Sequence, residues 1–217
     1  MRTLIGKFYR NALPGSMQAR LDCWRAKRAW LSQAAIFIHV PKAAGFSISH
    51  ALYGKALGHI RAKDIQRYAK PEFDCCFKFA FVRHPVSRYI SALSYIRENH
   101  SELKGGPGLP PEALLALEPV EFLDQWLAKE TLEQTNFVFQ PQADFVCGER
   151  DTILVDHLAR YEDFDQEIQW LSERLPRLNA IQALNASHSH QVAYSFEEVN
   201  VRLRKIYPRD YALFGYE

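Results

Sequence analysis

The 217-residue sequence lacks several features that define whole classes of protein. Its four cysteines (Cys23, Cys75, Cys76, Cys147) follow no metal-ligand spacing and are too few for a disulfide scaffold in a chain of this length. Reduced thiols and no metal are therefore expected. Neither charge sign is in real excess, 27 Lys+Arg facing 25 Asp+Glu, so bulk attraction to nucleic acid is not expected and any anion site must be local. No apolar run approaches the ~18 residues of a membrane span, and the first residues lack the apolar stretch and cleavage site of a secretory signal. A cytoplasmic location is the expectation. Internal repeats and low-complexity segments are also missing.

What is present is apolar and aromatic material, 47% and 13%, enough for one sizeable core and hence one domain. The basic residues are unevenly placed. Residues 1–30 hold Arg2, Lys7, Arg10, Arg20, Arg25, Lys27 and Arg28 against the single acid Asp22. After the turn signal Pro14-Gly15, the spacing predicts a helix over Ser16–Leu31 with Met17, Leu21, Trp24 and Leu31 on one face. Residues 1–35 thus read as a basic amphipathic segment packed by that face on a domain spanning 36–217. The other use for such a helix is peripheral contact with an anionic membrane.

Ile36-Phe37-Ile38-His39-Val40 is a short apolar, β-branched run ended by Pro41, the pattern of a buried parallel strand. A helix is predicted over Ser47–Leu57. Phe77 to Val82 predicts a second strand, followed by a helix carrying Val86, Ile90, Leu93 and Ile96. Two strand-loop-helix units in succession predict an α/β domain, a central parallel sheet with helices on its faces. Further along, Ser101–Pro111 reads as a loop, Pro119–Lys129 as a helix and Thr152-Ile153-Leu154-Val155 as a third strand. Asp163 suits the N-cap of a helix with the stripe Phe164, Ile168, Leu171, Leu175. Ser195-Phe196-Glu197-Glu198 is a capping box before the stripe Phe196, Val199, Leu203, Ile206.

The chemistry concentrates at the two strand ends. In His39-Val40-Pro41-Lys42-Ala43-Ala44-Gly45-Phe46-Ser47, small residues between a strand and a helix let backbone N–H groups approach an anion, and the helix N-terminus favours negative charge. Lys42 precedes Gly45, the reverse of the order in a Walker A loop, which weakens a kinase reading. In Phe81-Val82-Arg83-His84-Pro85-Val86-Ser87-Arg88-Tyr89-Ile90-Ser91, a strand-end arginine is followed eight residues later by a serine two turns into a helix. A planar guanidinium grips phosphate bidentately.

Together these two elements resemble the donor-binding motifs of sulfotransferases that use 3′-phosphoadenosine 5′-phosphosulfate (PAPS). The first resembles their 5′-phosphosulfate loop, His-x-Pro-Lys-Thr-Gly/Ala-Gly-Thr-Ser, at His39, Pro41, Lys42, Ala44, Gly45 and Ser47, and departs from it at Ala43 and Phe46, where threonine is usual. The second resembles their 3′-phosphate pair, which implies that role for Arg83 and Ser91, with His84 in place of the usual Asn or Asp. Gln140-Pro141-Gln142-Ala143-Asp144-Phe145, Tyr161-Glu162-Asp163-Phe164, Asn185-Ala186-Ser187 and Asp210 to Tyr216 are similar to segments of the carbohydrate enzymes, so the likeness spans residues 36–217.

The resemblance implies a P-loop-NTPase-like fold, sulfuryl transfer from PAPS without a metal, and an acceptor hydroxyl on a carbohydrate or other glycoconjugate. The loop residues Pro41, Lys42, Ala43, Ala44, Gly45, Phe46 and Ser47 would hold the donor with Arg83, Ser91, Ser187 and His188. Lys42 would stabilise the leaving phosphate. His59, in a Gly-His segment similar to that of heparan sulfate 2-O-sulfotransferases, would be the base, since imidazole titrates in the useful range. Tyr53, Arg61, Lys63, Tyr95, Arg97, Trp126 and Gln142 are candidates for a sugar groove. The family's animal Golgi members imply a lumenal location if an anchor precedes these residues. A kinase-like enzyme and a non-catalytic nucleotide-binding module stay open as alternatives, and no sequence signal bears on oligomeric state.

Overall fold

A computed structural model describes residues 14–103, 106–183 and 194–217. Strand β1 (Ala35–Ile38) is buried at every position and β2 (Phe77–Val82) at its last four, so neither run alternates. A strand covered on both faces needs apolar side chains in both directions. The two pair in parallel, Ala35 opposite Phe77 and Ile38 opposite Ala80. On its far side β2 pairs in parallel with β3 (His157–Arg160), Phe79 opposite His157. The order β1-β2-β3, with helices filling the connections, makes one α/β domain. Tyr53 covers the outer edge of β1: its hydroxyl donates to Ala35 O at 3.1 Å and accepts from Phe37 N–H at 3.0 Å.

The third strand is not at Thr152–Val155. Ile153 forms only an isolated antiparallel bridge with Cys147, in a local hairpin closed by Gly148 N–H to Thr152 O and Leu154 N–H to Val146 O. Sheet pairing begins beyond Asp156, whose carboxylate accepts from Lys78 N–H at 2.8 Å while its own N–H donates to Lys78 O. The apolar run was the wrong guide because β3 is an edge strand, only one of whose residues is buried.

Helix α1 (Gly15–Gln33) forms as expected but packs through its other face. Cys23, Ala26 and Trp30 are buried, whereas Trp24 is 69% exposed, Met17 54% and Leu31 53%. Small side chains at 23 and 26 allow close approach to the core, and Trp30 supplies the buried area. After β1 comes α2 (Gly45–Tyr53), which starts two residues earlier than predicted and stops at Gly54, whose φ of 70° caps it. Helices α3 (Ala62–Tyr68) and α4 (Lys70–Cys75) lead into β2, and α5 (Pro85–Leu103) out of it. Then come α6 (Pro119–Gln125), α7 (Ala143–Val146), α8 (Phe164–Arg174), α9 (Phe196–Ile206) and α10 (Pro208–Phe214). Ser195 caps α9, its Oγ accepting from Glu198 N–H, but Phe196 of the expected stripe is exposed, its ring beside His84. No helix among the described residues is long and apolar enough to cross a membrane.

Candidate active site

The parallel strands end side by side, and the two motif-bearing segments leave from those ends. Between β1 and α2 the chain turns tightly, with Lys42 (φ 66°) and Ala44 (φ 60°) both in the left-handed region, which non-glycine residues occupy at a cost of order 1 kcal/mol or more each. Such strain persists where surrounding structure over-determines it, and it clusters at functional sites. Gly45 then opens α2. A Cβ there would lie 1.9 Å from Cδ2 of His39, so glycine is required for the imidazole to pack beneath the loop.

This loop forms one wall of a cavity of about 610 Å³. The cavity brings together Lys42, Gly45, Ser47, His59, Arg83 and Ser91, residues up to 49 positions apart in the sequence. Tyr95, Phe137 and Tyr161 add aromatic walls, and Asp165 sits exposed at the rim. Pro41 and Ala44 also line it. Ala43 does not: its side chain is fully buried in the core, so only its backbone can serve an anion. Phe46 is 66% exposed at the rim, its ring 4.2 Å from that of His50 one turn along. Ser187 and His188 lie outside the described residues.

Arg83 is fixed from three directions. Gln142, fully buried, clasps its backbone: Arg83 N–H donates to Gln142 Oε1 at 2.9 Å and Gln142 Nε2 donates to Arg83 O at 2.8 Å. Its side chain donates from Nε to Ser87 Oγ at 2.9 Å and from Nη1 to Lys42 O at 3.3 Å. The guanidinium lies 4.2 Å from the centroid of the Tyr161 ring. Nη2 has no hydrogen-bond partner among the described residues, so its donors remain for a ligand. The Lys42 ammonium stands 4.5 Å from the Tyr95 ring centroid. Burial, and then repulsion from Arg83, lower the Lys42 pKa against an opposing pull from Glu98; burial likewise lowers that of Arg83. Two partly desolvated cations in one cavity are a local excess of positive charge that a bound anion would relieve.

His59 reaches the cavity because its Nδ1 meets His39 O at 2.9 Å. The carbonyl can only accept, so Nδ1 carries the proton and Nε2 is left as a lone-pair nitrogen. Burial lowers the His59 pKa, the hydrogen bond to His39 O opposing it and Lys42 adding to it. His39, its ring 4.1 Å from that of His59, is held neutral down to about pH 3 by burial and by repulsion from His59 and Lys42. The pair therefore presents a neutral imidazole beside a cation.

The outlying segments converge behind Arg83. Glu162 accepts from His84 N–H at 2.7 Å and from the Tyr216 hydroxyl at 3.1 Å. Asp210, fully buried, accepts the N–H groups of Gln142 and Ala143, both at 2.9 Å; burial raises its pKa, while Arg88 and these two donors hold it down. His84 does for the turn what an Asn or Asp side chain would do, its Nδ1 accepting from Val86 N–H at 3.2 Å. Of the sugar-groove candidates only Tyr95 lines the cavity. Tyr53 is tied to β1, Trp126 and Gln142 are buried, Arg97 donates to Leu117 O, Arg61 donates to Gln140 Oε1 at 2.8 Å, and Lys63 is exposed outside it. The positioning roles of Ser87 and Gln142 were not read from sequence. Ser87 sits one turn beyond Arg83, a spacing that could have suggested it; Gln142, 59 residues away, gave no local signal.

A parallel α/β sheet with a cation-bearing strand–loop–helix turn and a second strand-end arginine in the same cavity offers positive charge and free backbone N–H groups where such folds place their ligand sites. Residues 35–217 match the model of the sulfotransferase family, and the chain belongs to that family. No curated protein and no solved structure gave a match.

Proposed function

We propose that this sulfotransferase takes its sulfuryl group from PAPS and passes it to a hydroxyl of a carbohydrate or glycoconjugate. The observation that carries the reading is the single cavity shared by the Lys42 loop and the Arg83 guanidinium, joined by the Arg83–Lys42 hydrogen bond. The residues present suit such a ligand. The cavity's volume lies within the ~300–1,000 Å³ of ligand pockets, and two partly desolvated cations lining it, Lys42 and Arg83, match a molecule that carries phosphate at two positions. The 5′ end falls to the backbone of residues 41–47 with Ser47, the 3′-phosphate to Arg83 and Ser91, and Ser187 and His188 keep their sequence-based assignment to the nucleotide.

When bound, the donor would supply a phosphosulfate anhydride, its sulfuryl group passing to the acceptor oxygen and the bridging oxygen keeping the electron pair and leaving with the phosphate. Lys42 places positive charge and an N–H donor where the leaving phosphate gathers charge. His59 Nε2 accepts the acceptor's hydroxyl proton, and no metal is needed. The carbohydrate acceptor rests on the resemblance of the chain's later segments to carbohydrate enzymes. The test is transfer of sulfur-35 from labelled PAPS to a panel of polysaccharides, glycolipids and small hydroxyl compounds. Label should enter an acceptor with wild type and fail to do so with a folded Lys42→Ala variant. Bisphosphate binding without transfer to any acceptor would make the chain a binding module, and phosphate transfer from ATP–Mg²⁺ a kinase.

A further inference from the structure

The face of α1 that was expected inside the protein lies outside it. At 100° per residue, Met17, Trp24 and Leu31 recur every seven positions and fall within about 40° of one another, on a face centred about 130° around the helix from that of Cys23, Ala26 and Trp30. The helix is therefore apolar on two faces, and only one is covered. Exposed large apolar side chains scattered singly are ordinary; three aligned on one helix, with a tryptophan in the middle, are not. Leu21, half-buried, widens the stripe on one side.

The charge around the stripe has one sign. Arg20 flanks it on one side and Arg25 on the other, Arg28 falls within it one turn beyond Trp24, and all three are exposed. Asp22, the sole acid of the helix, projects about 140° around from Met17, off the stripe. The preceding residues 1–13 add Arg2, Lys7 and Arg10 and no acid. An interfacial helix needs such a pattern: an apolar ridge shallow enough to enter the acyl boundary, an indole suited to the headgroup level, and guanidinium groups beside it at the depth of lipid phosphates. We propose that the exposed face of α1 docks the folded protein on the surface of an anionic membrane, with Met17, Trp24 and Leu31 entering the bilayer and Arg20, Arg25 and Arg28 meeting anionic headgroups. The helix lies along the surface. A second copy of the chain is the poorer occupant, because an isologous contact would set the three arginines of one face against those of the other.

The test is cosedimentation of the full chain with vesicles of phosphatidylcholine alone or with 30% phosphatidylserine. Binding to the anionic vesicles, at least 10-fold weaker to neutral ones and weaker again at high salt, is expected. Trp24→Ser with Leu31→Ser, and separately Arg25→Glu with Arg28→Glu, should each weaken binding 10-fold or more while leaving the thermal midpoint within a few degrees. Equal sedimentation of wild type and both variants, or none with anionic vesicles, would overturn the proposal. So would a wild-type dimer in sedimentation equilibrium that the Trp24→Ser, Leu31→Ser variant dissolves. Sulfuryl transfer plays no part in any of these readings.

Discussion

Replacing Gly45 by alanine is the sharpest perturbation of the loop that holds Lys42. Gly45 is not in the left-handed region, so the substitution carries no conformational penalty, and its cost comes from one contact. The added methyl would stand 1.9 Å from Cδ2 and 2.2 Å from Nε2 of His39, distances at which the ring must move. It has little room to do so, being stacked 5.8 Å from Phe37 and lying 4.1 Å from His59. Overpacking of this kind costs about 1–3 kcal/mol. In a chain of this size that corresponds to a fall in Tm of roughly 2–12 °C. Thermal and urea unfolding of a double-mutant cycle isolates the contact: in a His39→Ala background, Gly45→Ala should cost less than about 0.5 kcal/mol. The same cost in both backgrounds would refute the steric explanation.

Replacing His59 by asparagine should lower kcat about 10²–10⁴-fold, the range for a positioned base, with the affinity for adenosine 3′,5′-bisphosphate changed little; unchanged turnover would remove His59 from the chemistry. Because burial lowers its pKa, the imidazole stays a free base through neutrality, and the acid limb of kcat/KM should fall below pH 6.5 and disappear in the variant. His39 has a consequence for stability. Its folded-state pKa of about 3 lies below the unfolded value of 6.5, so the unfolded chain binds the extra proton between those values and stability is lost as pH falls through that window. At about 1.4 kcal/mol per pH unit, the His39 part of the loss at pH 5 is up to about 2 kcal/mol, so urea midpoints of a His39→Asn variant should fall less steeply with acid than those of wild type, the remainder including His59.

The strands and the cavity were legible in the sequence to different depths. The buried runs at Ile36 and Phe77 announced themselves because parallel strands covered on both faces carry continuous apolar sequence. The edge strand His157–Arg160 did not, since its placement comes from pairing with Phe79–Val82 and from the Asp156–Lys78 clasp rather than from its own composition. Lys42, Gly45, Ser47, Arg83 and Ser91 were legible because each sits a fixed step from a strand end. What fastens them was not: Glu162 to His84, Asp210 to Gln142 and Gln142 to Arg83 join residues 59 to 78 apart. In α1 the periodicity was right and the face wrong, because large apolar residues drew the eye while Cys23 and Ala26, small enough for close contact, went inside.

The most direct measurement is calorimetric titration of wild type and Arg83→Ala with adenosine 3′,5′-bisphosphate and with adenosine 5′-monophosphate. One charge-assisted contact contributes about 1.5–3 kcal/mol, roughly 10- to 100-fold in affinity. Wild type should prefer the bisphosphate by at least that factor, and Arg83→Ala should lose most of the preference, keeping only what the Ser91 hydroxyl contributes. Equal affinities in wild type, or a preference undiminished by loss of the guanidinium, would contradict a cavity that clamps phosphate at two positions.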